Sequence, residues 1–327
     1  MILVRSPLRI SLGGGGTDLP TYYERFGGLV VSASIDKYVY VAVSKPFSEN
    51  IIIKYSNYEC VGNIESIKHP IIREVLSKYA KDERGIEIST MADAPAGTGL
   101  GSSGSFTTAM IKAVNEYLGY EISVEDLAKS ACQIEIEKLS EPIGKQDQYV
   151  AAYGGISLFR FLENGEVKVE PLNLQNEILE KLETNLLLFY TGNTRSASLI
   201  LEDQVKKTKQ DNKEMIENLN FIKEIGLKSF EALKSSNLDL FGRLMNDHWE
   251  YKKSRSKGIS NSRIDEAYKV AINVGAVGGK LVGAGGGGFL MFYTNEPDRL
   301  RLSMSGLGLE EMKFGFDFQG TSVVVSK

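Results

Sequence analysis

Apolar and polar residues alternate along Met1–Leu12, and the run ends in Gly13-Gly14-Gly15-Gly16, the pattern of a half-buried strand entering a turn. Leu29–Ser44 and Ile51–Tyr55 are dense in Val, Ile and Tyr and predict strands of an antiparallel or mixed sheet. The spacing changes to the helical period over Ile71–Lys81 and Phe106–Leu118, with a short strand, Ile86–Ser89, between them. Ser123 followed by Asp126 marks a helix start, and the amphipathic pattern runs on to Leu139. Ile156–Phe161 and Val167–Val169 flank Asn164-Gly165, a hairpin signal. Asn185–Tyr190 and Phe289–Tyr293 are apolar strands, and much of the Lys- and Glu-rich segment between them, Ser196–Asn246, is helical in pattern. The chain therefore divides near residues 165–185 into a strand-rich front half and a helix-rich back half with strands of its own.

Composition narrows the class. The 327 residues suffice for a sizeable core and about two domains, with 42% hydrophobic and 24% charged residues as in ordinary globular proteins. A formal net charge of −4 argues against a general nucleic-acid binder. No apolar run is long enough to span a bilayer and no secretory leader pattern is present, so no membrane partner is expected. Cys60, Cys132, His69 and His248 are too few and too scattered for a zinc site, and they fit a reducing cytoplasm. Cys132, His248 and Trp249 sit in apolar helical contexts and read as packing residues.

The chemistry lies in the glycines. Pro95-Ala96-Gly97-Thr98-Gly99-Leu100-Gly101-Ser102-Ser103 leads into the helical run from Phe106, and such a turn can aim its N–H groups and a helix dipole at one anion. The P-loop pattern is absent, because Gly279-Lys280 is followed by Leu281. The dinucleotide fingerprint is matched in letters at Gly99-x-Gly101-x-x-Gly104. However, a second helix follows where that fold needs a strand closed by an acidic residue.

The loop resembles the central phosphate-binding motif of the GHMP kinases. Two further motifs of that superfamily stand in the right order, Arg9-Ile-Ser-Leu-Gly13-Gly-Gly-Gly-Thr17-Asp18 and Lys280-Leu-Val-Gly283-Ala-Gly285-Gly286-Gly-Gly288. Gly15 and Gly16 stand where galactokinase has a Glu-His pair, so the sugar contacts must differ from that enzyme's. Leu8–Pro20, Ile143-Gly144-Lys145-Gln146-Asp147-Gln148-Tyr149 and Tyr190-Thr-Gly192-x-x-Arg195 are similar, within the superfamily, to the D-glycero-D-manno-heptose 7-phosphate kinases.

The resemblance implies a two-domain α+β fold, with a ribosomal-S5-like α/β domain over residues 1–175 and a ferredoxin-like α+β domain over 176–327. It implies ATP and Mg²⁺, and phosphorylation of the C1 hydroxyl of a heptose 7-phosphate on the way to nucleotide-activated heptose for bacterial surface glycans. Gly97, Thr98, Gly99, Leu100, Gly101, Ser102 and Ser103 would bind ATP. Ser103 would ligate Mg²⁺ with Glu135; Ser102 (also a candidate helix cap) and Glu137 are the respective alternatives. Asp147 would be the general base with Arg9 beside it, although an aspartate there could instead cap a helix. Thr17, Asp18, Gly285 and Gly286 would face the acceptor, and its phosphate would meet Arg195 first, with Lys145 and Lys252 next. A fucose- or galactose-type kinase and a non-catalytic GHMP-fold protein are the rival readings, and a homo-oligomer stays open.

Overall fold

The computed structural model describes residues 1–192, 198–256 and 258–326. The first part of the chain runs β1 (Ile2–Gly13), α1 (Pro20–Phe26), β2 (Gly28–Ser44), β3 (Ile51–Lys54), β4 (Tyr58–Val61), α2 (Pro70–Tyr79), β5 (Glu87–Ala92), α3 (Ser102–Leu118) and α4 (Val124–Cys132). After a π-helical turn at Gln133–Lys138 come α5 (Gln146–Tyr153), β6 (Ile156–Phe161) and β7 (Val167–Pro171). The second part holds α6 (Asn176–Asn185), β8 (Leu186–Tyr190), α7 (Ser198–Lys209), α8 (Lys213–Lys234), α9 (Leu238–Arg255) and α10 (Ser262–Asn273). It ends with β9 (Ala276–Leu281), β10 (Phe289–Thr294), α11 (Pro297–Gly306), β11 (Glu310–Met312) and β12 (Ser322–Val325).

The strands form two sheets. The larger has the order β12-β1-β2-β5-β3-β4, with β6 and then β7 branching from β2, and the smaller is the antiparallel array β11-β8-β10-β9. The segment from 29 to 44 is one continuous strand, whose first half pairs with β6 and whose second half pairs with β5. The sequence pattern missed α1, β4, α5, α6, α10, β9, α11, β11 and β12. The last strand returns to pair with β1, so the end of the chain is built into the first sheet.

Two cores lie on opposite faces of the larger sheet. Val4 and Val41 pack with Met110, Val114 and Leu127 of the helices α3 and α4, whereas Leu8, Ile10 and Leu12 pack with Phe230, Phe241 and Met291 of the second part. Val4 and Leu8 are both even-numbered, and strict alternation would set them on one face. They part because the β1–β2 register shifts between Pro7 and Leu8, where Pro7 pairs with Tyr38 and Leu8 with Ile35. Such an irregularity re-aims side chains. It hands Arg9 and Ser11 to the helical side, where α3 begins.

The smaller sheet is covered by α9. The helix comes close because neither side presents a Cβ: one added to Gly278 would stand 2.0 Å from the Gly242 carbonyl oxygen. The same contact brings His248, Trp249, Lys252 and Arg255 of α9 inside the protein, each less than a tenth exposed. Gly278→Ala should therefore force helix and strand apart and destabilise the protein by about 2 kcal/mol, within the usual range for overpacking. An unchanged midpoint in urea would show the contact to be slack.

Burial, then the charges of Lys280, Lys252 and Arg255, hold His248 neutral well below its ordinary pKa of 6.5. The unfolded chain binds that proton near 6.5, so stability present above this pH is lost as pH falls below it. The contribution is at most about 1.4 kcal/mol per pH unit. Urea midpoints at pH 7 and 5.5 should differ less in His248→Gln than in the unmodified protein; equal differences would remove His248 from the account.

Candidate active site

A cavity of about 230 Å³ opens between the two parts of the chain. Its walls include Arg9, Asp18, Gly97–Ser103 in part, Asp147, Lys252, Arg255 and Lys280. All three glycine-rich segments reach it, and the backbone explains how. Gly99 and Gly283 both adopt positive φ, 81° and 76°. A Cβ on Gly283 would stand 2.5 Å from the Gly99 Cα, and one on Gly99 would stand 2.7 Å from the Val282 oxygen. The second and third glycine segments thus pack backbone against backbone, a contact only glycine permits.

The loop ends at Gly101, which occupies the N-cap position of the 17-residue helix α3 with φ 75° and no side-chain cap. The first-turn N–H groups of α3 consequently carry no capping side chain and stand at the cavity, a site suited to an anion. Ser102 is the first helical residue rather than the cap. Gly97, Gly99, Gly101, Ser102 and Ser103 line the cavity. Leu100 is buried in the core, and its carbonyl accepts the Arg9 N–H at 2.9 Å. Thr98 is buried outside the lining, with its hydroxyl donating to the Pro95 carbonyl at 2.9 Å.

Arg9 ties the first strand to the loop and to α5. Its Nε and Nη2 lie 2.8 and 2.7 Å from Oδ1 of Asp147, and Nη1 donates to the Gly99 carbonyl. Arg9 is 7% exposed at its side chain and Asp147 30%, so the carboxylate is the member of the pair that faces the cavity. Both contacts fall on Oδ1; among the described residues Oδ2 has no hydrogen-bond partner. Asp147 is the second residue of α5, behind a Lys145 N-cap, so it does not cap that helix.

Ser103 and Glu135 meet: the serine hydroxyl donates to Oε2 of Glu135, while Gln148 holds Oε1 at 2.9 Å. Glu135 is fully buried and Glu137 exposed, so of the two glutamates it is Glu135 that meets Ser103. The helical segment expected to continue to Leu139 changes to a π turn at Gln133. A π turn shifts side-chain phase, and such insertions are frequent at functional sites. Burial raises the Glu135 pKa, opposed by hydrogen bonds from Ser103 and Gln148. Among the described residues no three His, Cys, Asp or Glu side chains converge. One buried carboxylate and one hydroxyl are hard oxygen donors, the set that suits Mg²⁺ completed by phosphate oxygens and water.

Asp18 lies against Gly144 and accepts the N–H groups of Gly16 and Gln146, each at 3.2 Å. Burial, then the charge of Asp147, raises its pKa. Other sequence expectations fare differently. The Thr17 hydroxyl lies 2.9 and 2.8 Å from the carbonyls of Gly14 and Leu29 and accepts the Leu29 N–H, so it braces the turn instead of facing the acceptor. Lys145 is outside the cavity lining, its ammonium donating to the Gly165 carbonyl at 2.6 Å. Gly285 and Gly286 are outside it too; Gly286 donates its N–H to the Ile259 carbonyl at 2.9 Å. Lys252 does line the cavity, and its ammonium donates to the carbonyls of Leu281 (2.8 Å) and Gly283. Arg195 lies outside the described residues. Arg255 and Lys280 line the cavity and were missed as binding residues, because a charged residue in a helix or a glycine-rich strand carries no sign of the direction it faces.

Residues 67–155 match the GHMP kinases N terminal domain and residues 229–308 match the GHMP kinases C terminal domain. The D-glycero-alpha-D-manno-heptose 7-phosphate kinase of Campylobacter jejuni is 33% identical over 92% of this chain and 91% of its own length. The L-fucokinase/L-fucose-1-P guanylyltransferase of Bacteroides fragilis is 29% identical over 90% of this chain, which corresponds to 34% of that longer protein. The crystal structure of a D-glycero-D-manno-heptose 1-phosphate kinase from Bacteroides thetaiotaomicron superimposes with a TM-score of 0.81 at 28% identity, covering 100% of both chains. With both halves matched and a relative 33% identical along nearly the whole length, the chain belongs to the GHMP kinase family.

Proposed function

We propose that this protein transfers the γ-phosphoryl group of ATP to the C1 hydroxyl of D-glycero-D-manno-heptose 7-phosphate, giving the 1,7-bisphosphate and ADP. As a GHMP kinase the chain is an ATP-dependent phosphotransferase; the acceptor and its C1 position are our reading. The observation that carries it is the Arg9–Asp147 pair at the mouth of an uncapped, glycine-fed helix, in a chain similar to heptose phosphate kinases. The same reading assigns the ATP site to the loop Gly97–Ser103 and the acceptor site to the cavity between residues 1–175 and the rest of the chain. ATP as co-substrate also fits action in the cytoplasm. Among the described residues no helix is long and apolar enough to cross a membrane.

The residues divide the work of phosphoryl transfer, which is mainly positioning and charge stabilisation. Backbone N–H groups of the loop and the first turn of α3 hold the ATP phosphates. Ser103 and Glu135 would hold Mg²⁺, which supplies neutralisation of phosphate charge when bound. Asp147 takes the C1 hydroxyl proton on Oδ2 as the sugar oxygen bonds to the γ-phosphorus and the bond to the bridging oxygen of ADP breaks. Arg9, anchored on Oδ1 and on the Gly99 carbonyl, keeps the base oriented and links it to the phosphate loop. Asp18 accepts hydrogen bonds from acceptor hydroxyls.

Incubation of the protein with Mg·ATP and heptose 7-phosphate, heptose, fucose, galactose and mevalonate tests the assignment. Turnover of the heptose phosphate is expected, and phosphorylation of fucose with the heptose phosphate untouched would transfer the assignment to the fucose-type reading. Asp147→Asn keeps the size but not the base, and kcat should fall by about 10² to 10⁴ with the KM for ATP little changed. Retention of most of kcat would remove Asp147 as base. Glu135→Gln should shift the Mg²⁺ dependence of the initial rate upward by about 10-fold or more. An unaltered Mg²⁺ titration would exclude Glu135 as a ligand.

A further inference from the structure

The cavity holds more positive charge than its carboxylates balance. Besides Arg9, which Asp147 neutralises, it is lined by Lys252, Arg255 and Lys280, exposed by 6%, 8% and 2%. None of the three forms a salt bridge among the described residues, although other lysines and arginines of the protein are paired on the surface. A buried cation without a counter-ion is costly, and natural proteins retain one where a ligand supplies the missing charge.

The three are not equivalent. Lys252 is held by two carbonyls and braces the third glycine segment. Arg255 donates from Nε to Asn218 at 3.1 Å and from Nη1 to Gln204 at 3.2 Å, which fixes its plane, while its buried Nη2 has no hydrogen-bond partner. Nη1 also reaches the Gly15 carbonyl at 3.4 Å, and a Cβ on Gly16 would stand 2.5 Å from it. Arg255 therefore sits on the first glycine turn, the segment that ends in Asp18. The charge of Asp18, at the end of that turn, acts on Arg255. The Lys280 ammonium makes no hydrogen bond among the described residues, and the charges of both Arg9 and Arg255 reach it. Burial and those two charges pull its pKa down to about 7, a repulsion that a bound anion would relieve.

We propose that Arg255, with Lys280 lining the same cavity, is the receptor for the phosphate monoester that the acceptor sugar already carries. A guanidinium fixed on two side chains with Nη2 unpaired keeps charged N–H donors free for a phosphate oxygen. Its place on the first glycine turn, whereas Asp147 packs against Gly101 and Gly104 of the second segment, fits a phosphate at the other end of the sugar from the reacting hydroxyl. This assignment rests on the reading that the acceptor is a sugar phosphate, and it gives recognition of that phosphate to Arg255, outside the three motifs, and to Lys280, a motif residue to which the resemblance assigned no such role.

The test compares heptose 7-phosphate with unphosphorylated heptose as acceptors for the unmodified protein, Arg255→Met and Arg255→Lys. In Arg255→Met the ratio of kcat/KM for the two acceptors should fall by about 100-fold, through KM of the phosphorylated one, and Arg255→Lys should recover part of it. The ratio is the readout because structural damage lowers both acceptors alike. An unchanged ratio overturns the proposal, as does a rise in the KM for ATP in its place, which would give these cations to the nucleotide. If the unmodified protein turns over no heptose 7-phosphate, the functional reading fails separately. Calorimetry with inorganic phosphate then decides the pocket: binding that Arg255→Met abolishes upholds it, and equal binding or none in both proteins overturns it.

Discussion

Arg9 holds the site together from inside the first strand. Its backbone N–H takes the Leu100 carbonyl, and its guanidinium grips Oδ1 of Asp147 and the Gly99 carbonyl, so one residue connects sheet, phosphate loop and α5. Nearly buried, the guanidinium needs each of these acceptors. The connection exists only because the β1–β2 register shifts at Pro7, which turns Arg9 toward the helices. A strand of unbroken alternation would present Arg9 to the second part of the chain.

Around that pivot the two parts close on each other through backbone. Gly99 and Gly283 touch where side chains would clash, and Gly278 lets α9 settle on β9. These contacts set the depth at which Lys252, Arg255 and Lys280 come to rest, inside the protein and facing the same space as the phosphate loop. The surplus of positive charge in the cavity thus follows from this packing arrangement: close approach of glycine backbones carries long cations into a cavity whose other wall is an uncapped helix start.

Some of the site was legible residue by residue. The glycine run before an apolar helical pattern gave the anion cradle, since positive φ and exposed N–H groups are local properties. That Glu135 is buried against Ser103 and Glu137 exposed is visible only in the structure, and the π turn that places Glu135 left no mark in the pattern. Thr17 and Lys145 fit motif positions, yet each has its polar atoms engaged by carbonyls some distance along the chain. Arg255 and Lys280 were illegible for the converse reason: a lysine in a glycine-rich strand and an arginine at a helix end look like surface charges until the neighbouring element is known.

The sequence by itself determined most of the strands of the first part, its longer helices and the chemistry available to them. Hydrophobic period, capping residues and glycine placement depend on neighbours within a few positions, and they were enough for the mixed strand-and-helix architecture and for the phosphate loop. Only the tertiary structure shows how distant charges meet: the resemblance set Arg9 beside Asp147, but nothing along the chain indicated where Arg255 would lie. Arg9 and Asp147 are 138 residues apart, and Arg255 and Gly15 are 240 apart. Whether such pairs face each other depends on strand register, on glycine contacts between distant loops and on the return of β12 to β1. Those features come from close packing, which a one-dimensional pattern of polar and apolar residues does not encode.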